Sequence, residues 1–371
     1  MGPGDAERVL NVAPDYTLNS VERSARLKVQ QLAVKALVYT GPGKVEIRNV
    51  PRPTLQAGEV LLRNHSSGIC GSDIHGFLGH SERRKPGLIL GHETIATIEE
   101  VHPSVTAWKT GQRVIVNPLM TCGACAACLA GKQNLCANWR VLGLDRVQGT
   151  YAEFTALPTT SLYPAPAGLS DEQAVLTEPL ANVVHFFRIS MTEIPDSMTI
   201  LGAGPIGILA LAMAKLRGIA RVCIMDKNDE RLAVAKKLGA DHTIPAAAGD
   251  PVEAVRKWSD GGTDFVVETA GISATRRQAV NCARRGGRLL FIGMTENDSP
   301  LPWIEMIRDE KSVFTTFCYT PRDFLTSLRL IESRQIDLRP WTETLPLEEG
   351  QAGFEKITYR PGSTLKIVFR I

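Results

Sequence analysis

The stretch MTILGAGPIGILALAMAKLRGIARVCIMD, residues 198–226, decides the fold. A short β-favouring run at 198–201 leads into Gly202-Ala-Gly204-Pro205-Ile206-Gly207, apolar residues then continue at helical spacing to 217, and a second strand begins at 221. In a strand–turn–helix of this kind the first glycine permits the tight turn, the second lets the backbone approach a pyrophosphate, and the third lets helix and strand pack closely. The helix N-terminus then offers free N–H groups to phosphate oxygens. Asp226 falls nineteen residues after Gly207, at the end of the second strand. An acid there accepts both hydroxyls of an adenosine ribose and repels a 2′-phosphate, so the unit is expected to take NAD in preference to NADP. Lys227 and Arg231 pull the other way, since either cation could pair with a phosphate. The bland reading is a glycine turn with a capping acid, and the flanking strand and helix weigh against it.

Downstream the alternation continues, with helices expected at 229–238, 252–258 and 274–283 and strands at 243–244, 265–267 and 288–292. That order predicts a doubly wound parallel sheet of Rossmann type. Upstream the texture differs. Short β-rich runs at 34–39, 59–63, 94–101 and 113–116 are punctuated by Gly41-Pro42-Gly43, Pro51, Pro53 and Gly58, as in an antiparallel β domain. An amphipathic stretch at 322–333 and a strand at 365–369 close the chain, and this tail is expected to return to the β-rich part.

At 371 residues the chain has room for two or three domains and for a core that needs no disulfide or metal staple. A net charge of +3, with 44% hydrophobic and 22% charged residues, lacks the basic excess of a nucleic-acid binder. The longest run without charged or polar side chains, 200–214, is broken by three glycines and a proline and falls short of the roughly 20 residues of a membrane span. Residues 1–32 mix acids and bases without the apolar core of a signal peptide and are read as an N-terminal extension of no assigned role. A cytoplasmic protein with neither nucleic-acid nor membrane partner is expected.

Eight cysteines are present, four of them scattered singly and four, Cys122, Cys125, Cys128 and Cys136, crowded together. In a large chain such a cluster reads as metal binding. Four thiolates close a tetrahedral Zn²⁺ site and leave no open position, so this zinc would be structural. An iron–sulfur cluster competes for the Cys-x2-Cys-x2-Cys spacing, but its short last spacer and following proline are absent here.

A second constellation comprises Cys70-Gly-Ser72-Asp73-Ile-His75, Gly91-His92-Glu93 and Thr177-Glu178-Pro179-Leu180. A catalytic zinc takes three protein ligands and keeps one position open. Cys70 and His92 supply two donors. Neighbouring side chains on an extended segment point to opposite sides, so His92 and Glu93 can face one ion only across a local twist. That favours Glu178 as third ligand, with Glu93 as the alternate ligand or a carboxylate beside the site. Asp73 is expected to accept the second ring N–H of His92. The rival reading is that a lone cysteine, a loop histidine and two acids are unrelated.

Taken together and in this order, these motifs resemble the zinc-dependent medium-chain dehydrogenase family, over nearly the whole chain from Val34 to Ile371. Glu178-Pro179-Leu180 with His185 resembles its polyol and threonine dehydrogenase branch, where an acid replaces a cysteine. The resemblance implies a GroES-like catalytic domain at 33–180 with the four-cysteine lobe at about 117–140, a Rossmann domain at 181–321, and a segment 322–371 that returns to the catalytic domain. It implies a zinc- and NAD-dependent oxidation of a secondary alcohol in a polyol or sugar alcohol, by a homodimer or homotetramer. A threonine-type amino-alcohol or simple diol dehydrogenase is the nearest alternative, and a non-catalytic NAD(H)-responsive scaffold the alternative of another class. By position, Ser72 would bond the substrate hydroxyl and His75 pass its proton outward. Thr269, Ala270, Ile292, Gly293 and Met294 would line the nicotinamide half of the cofactor site. The chain also departs from the pattern: Phe317-Cys318-Tyr319 has cysteine where that branch carries arginine, and Gly76 stands where it often has tyrosine. A remodelled substrate pocket is expected.

Overall fold

The computed structural model describes residues 33–371, so the 1–32 extension lies outside the described residues. Two sheets organise the chain. The first has six parallel strands in the order His242–Pro245, Arg221–Asp226, Ser197–Leu201, Thr263–Glu268, Ala283–Phe291 and Ser312–Thr315. All five residues of Ser197–Leu201 are buried, as expected for a strand covered by helices on both faces. The chain leaves this strand first toward Arg221–Asp226 and later returns to its other side at Thr263–Glu268. A crevice opens at such a switch point, above the carboxyl ends of the strands, and Gly202 sits there.

The second sheet has seven strands. Six lie in the order Thr342–Pro346, Lys366–Arg370, Glu59–Gly68, Glu93–Val101, Arg113–Val116 and Leu162–Pro164, and Phe154–Pro158 also pairs with Glu59–Gly68. The tail does return: Val368 lies opposite Gly68 in antiparallel register. Glu59–Gly68 runs past the expected end at Arg63 because its polar residues find partners inside. Ser67 Oγ lies 2.8 Å from Thr94 Oγ1 and 2.9 Å from Thr150 Oγ1.

The helix Thr177–Ser190 stands between the sheets, and one apolar cluster joins Ile95 and Ile115 of the second sheet to Phe187 of this helix and Ile200 and Ile208 of the first unit. The sequence reading did not anticipate this helix. Eleven of its fourteen residues are buried, so it lacks the polar stripe by which an amphipathic helix is recognised. Helix Gly350–Tyr359 and strands Lys44–Pro51 and Ser312–Thr315 were likewise unforeseen.

Candidate metal centres and cofactor crevice

Cys70 caps the N-terminus of helix Gly71–Phe77, and its backbone N–H donates to Asp73 Oδ2 at 3.2 Å. His92 and Glu93 enter the strand Glu93–Val101 from Gly91, whose φ of 91° and 2.4 Å approach of a built Cβ to the Tyr151 ring exclude a side chain. Donor atoms of Cys70, His92 and Glu93 all lie within 4.8 Å of one another. Glu178 is not in that group, although it is near: the first turn of Thr177–Ser190 brings its carboxyl within the influence of His92 and Glu93. Burial pushes the Glu178 carboxyl up, opposed by His92 and by the nearby Tyr319 hydroxyl.

The charges around the triad are buried and paired. Lys366 Nζ reaches both carboxylate oxygens of Glu93, at 2.8 and 2.7 Å, and donates to the Ile69 carbonyl at 3.0 Å. Asp73 Oδ2 accepts the Tyr151 hydroxyl at 3.0 Å. Asp73 Oδ1 stands 3.6 Å from His92 Nδ1, a charge contact rather than the expected hydrogen bond. Burial pushes the Asp73 carboxyl up, but His92 and Arg84 outweigh it and hold it at about 2. His92 moves the opposite way: burial pushes its imidazole down, yet Asp73 and Cys70 carry it well above its ordinary value. Ser72 and His75 are half-buried on the same short helix. Lys366, Tyr151, Arg84 and Tyr319 were not foreseen; a lone lysine in the apolar run 365–369 was the signal available for the first.

The four-cysteine lobe fits a closed zinc site. Tetrahedral thiolates at a Zn–S distance of about 2.3 Å lie about 3.8 Å apart. Here Cys122 Sγ lies 3.5 Å from Cys136 Sγ and 4.0 Å from Cys128 Sγ, and all four sulfurs fall within 4.8 Å of one another. Among the described residues no cysteine is in a disulfide. The lobe is tied to the rest of the chain by Asn134, whose Nδ2 donates to the Phe317 carbonyl at 2.9 Å and stands 3.3 Å from His185 Nε2.

The glycine loop has the shape a dinucleotide needs. Gly202 has φ 103° and would place a Cβ 2.5 Å from Thr269 Oγ1, while at Gly207 a Cβ would fall 1.8 Å from the Gly202 carbonyl oxygen. Gly204, at the N-cap of helix Pro205–Leu216, has nothing within 4 Å of a built Cβ, which leaves open space before the helix N-terminus. Ile206 is half-buried in the first turn. Asp226 Oδ2 accepts the Ala203 N–H at 2.6 Å and Oδ1 the Asn228 N–H at 2.8 Å. Lys227 is exposed, whereas Arg231 is drawn in toward Asp226 with its Nε buried and unpartnered. Across the crevice, Thr269 donates to the Leu201 carbonyl at 2.8 Å, and Ala270 N–H to Glu268 Oε1 at 2.8 Å. Ile292 N–H bonds the Glu268 carbonyl at 3.1 Å, Gly293 packs against Gly271, and Met294 is exposed.

Residues 56–167 match the alcohol dehydrogenase GroES-like domain, and residues 205–333 match the family described as zinc-binding dehydrogenase. An L-threonine 3-dehydrogenase of Bacillus velezensis is 35% identical over 334 residues, 87% of this chain and 94% of that protein. The chain belongs to the zinc-dependent medium-chain dehydrogenases. A sorbitol dehydrogenase of Bacillus subtilis is 32% identical over 90% of this chain and 96% of its own. An alcohol dehydrogenase of Escherichia coli CFT073, solved with NADH, superposes with a TM-score of 0.84 at 25% identity, covering 91% of this chain and 99% of that one. Membership of this dehydrogenase family accounts for both halves of the architecture, a GroES-like unit beside a Rossmann sheet, and makes the protein a zinc- and NAD(P)-dependent oxidoreductase of small-molecule alcohols. Among the described residues no helix is long and apolar enough to cross a membrane.

Proposed function

We propose that the protein reversibly oxidises a secondary alcohol of a polyol, sugar alcohol or related hydroxylated substrate, with NAD as the preferred cofactor. The observation that carries this reading is the convergence of a thiol, an imidazole and a carboxylate, Cys70, His92 and Glu93, within 4.8 Å at a helix end. That donor set suits zinc and leaves a fourth position for substrate. When bound, zinc supplies a Lewis acid and the nicotinamide a hydride acceptor, which is the chemistry of alcohol oxidation.

The chain's own residues then have separable tasks. Cys70, His92 and Glu93 hold the metal, and Glu178 stands beside them. Ser72 Oγ accepts an N–H from Arg84 at 3.1 Å, which leaves its hydrogen and a second lone pair for the reacting hydroxyl. His75, held below its ordinary value by burial, His80 and Arg84, is neutral at pH 7 and free to take the released proton toward solvent. Cys122, Cys125, Cys128 and Cys136 hold the structural zinc. Gly202, Gly204 and Gly207 seat the pyrophosphate, and Asp226 the adenosine ribose. The boundaries 33–180, 181–321 and 322–371 follow the same division, supported by the pairing of Lys366–Arg370 with Glu59–Gly68.

A homodimer or homotetramer is supported by the end of the parallel sheet. Edge strand Ser312–Thr315 exposes Val313, and helix Trp303–Arg308 exposes Trp303, Ile304 and Ile307, apolar side chains that a second copy would cover. Free thiols throughout suit the reducing cytoplasm. The test is reduced-cofactor formation by zinc-loaded protein, with NAD⁺ and NADP⁺ separately, across polyols, diols, sugar phosphates and threonine. NAD⁺-dependent turnover that a chelator abolishes, zinc restores and Cys70→Ala removes is expected. Turnover persisting in metal-free Cys70→Ala protein would overturn the assignment.

A further inference from the structure

Beside the proposed zinc site an arginine lies where the sequence has made room for it. Gly76, on helix Gly71–Phe77, is crossed by the Arg84 side chain so closely that a Cβ would fall 2.1 Å from Arg84 Cδ and 3.1 Å from Nε. The guanidinium is carried inward: Nη2 donates to Ser72 Oγ at 3.1 Å, and only 6% of the side chain is exposed. Its neighbour Arg83 behaves differently, pairing with Asp145 and lying 4.5 Å over the Trp139 ring while 46% exposed.

Arg84 is short of acceptors. A guanidinium carries five N–H donors in a rigid fork. Among the described residues it makes one hydrogen bond, to Ser72, and its Nε is buried with no partner. Asp73 balances charge without completing the fork. Its Oδ1 stands 3.6 Å away, beyond hydrogen-bond distance, and its Oδ2 is taken by Tyr151 and the Cys70 N–H. A buried cation left with unused donors is costly unless something satisfies them. The natural complement of a planar fork is the paired oxygens of a carboxylate or phosphate.

We propose that Arg84 recognises an oxyanion carried by the substrate close to the carbinol that reacts at Ser72. The substrates are then hydroxy acids or sugar-alcohol phosphates in preference to neutral polyols. This rests on the dehydrogenase reading above. Gly76 is part of the same device, because any side chain there displaces the arginine.

The test uses zinc-loaded protein at saturating NAD⁺ and three substrates matched in their carbinols: erythritol, erythronate and erythritol 4-phosphate. In the wild type one anion is expected to exceed erythritol in kcat/KM by roughly tenfold or more. Arg84→Met and Gly76→Ala should bring that ratio toward one. The ratio is the readout, so any general loss from a displaced Ser72 cancels, and Gly76→Ala should not weaken the helix that carries it. The preferred anion distinguishes carboxylate from phosphate. A wild type that favours erythritol, or a ratio unmoved in Arg84→Met, overturns the proposal. Calorimetry with malonate and inorganic phosphate gives a second readout independent of turnover. Binding weakened roughly tenfold in both variants supports the site, and binding absent from the wild type or unchanged by Arg84→Met refutes it. Arg84-dependent anion binding without oxidation of any alcohol would overturn the dehydrogenase reading and leave the anion site standing.

Discussion

Replacing Lys366 by methionine isolates the electrostatics of the catalytic cluster. The two side chains of the Lys366–Glu93 pair are 2% and 0% exposed, and the ammonium reaches both carboxylate oxygens within 2.8 Å. Burial pushes the Lys366 ammonium down, but Glu93 and Cys70 carry it above its ordinary value, so the ammonium keeps its proton at neutral pH. Methionine keeps the apolar stem and removes the charge, stranding a carboxylate that water cannot reach. Breaking one half of a buried pair costs about 3–5 kcal/mol. Zinc bound by Glu93 would provide a second counter-charge, and any ligand held only by the folded state adds to its stability. The loss should therefore be largest in chelator-stripped protein and smaller by at least about 1 kcal/mol once zinc is loaded. Urea unfolding followed by circular dichroism, with and without zinc, measures both numbers. A stripped Lys366→Met protein within about 1 kcal/mol of wild type would refute the buried-pair argument. Equal losses in the two states would remove Glu93 from the ligand set and return that place to Glu178.

Cys122→Ser should release the lobe zinc and lower the thermal midpoint, because Asn134 then loses its anchorage on Phe317 and His185, while metal at Cys70 and low-temperature turnover survive. Metal analysis beside a melting curve checks this, and an unchanged midpoint with the lobe zinc absent would contradict it. Asp323 gives a pH prediction. Burial pushes its carboxyl up, but Arg188, His185 and Thr320 outweigh that and hold it far below its ordinary 3.8. A depressed carboxyl contributes stability that is fully present above the ordinary value and is lost as pH falls below it. The wild type should thus lose stability steeply below pH 3.8, whereas Asp323→Asn, less stable at neutral pH by about 3–5 kcal/mol, should show a flatter acid limb in urea titrations. Parallel acid limbs would count against the network.

What could be read from the chain divides by distance along it. Gly202, Gly204 and Gly207, and the four lobe cysteines, act within a few residues of one another, so spacing in sequence is already geometry in space. Cys70 and His92, on separate elements, were legible instead by donor type and by the motifs around them, Cys70-Gly-Ser72-Asp73 and Gly91-His92-Glu93. The choice between Glu93 and Glu178 was not, because it depends on which carboxylate the fold brings beside Cys70 and His92, and Glu93 is seated there by a lysine 273 residues further on. The helix Thr177–Ser190 escaped notice because burial on all sides erased its period. Arg84 is the sharpest case. Arg83-Arg84-Lys85 reads as a solvated basic loop, and nothing in its composition separates the exposed Arg83 from the buried Arg84. The packing that separates them depends on an absent side chain at Gly76, eight residues earlier. Local motifs thus declare the reaction, since metal and cofactor need fixed spacings, while the choice of substrate rests on charges folded in from elsewhere. For that reason the identity of the anion must be measured with matched substrates rather than read from relatives.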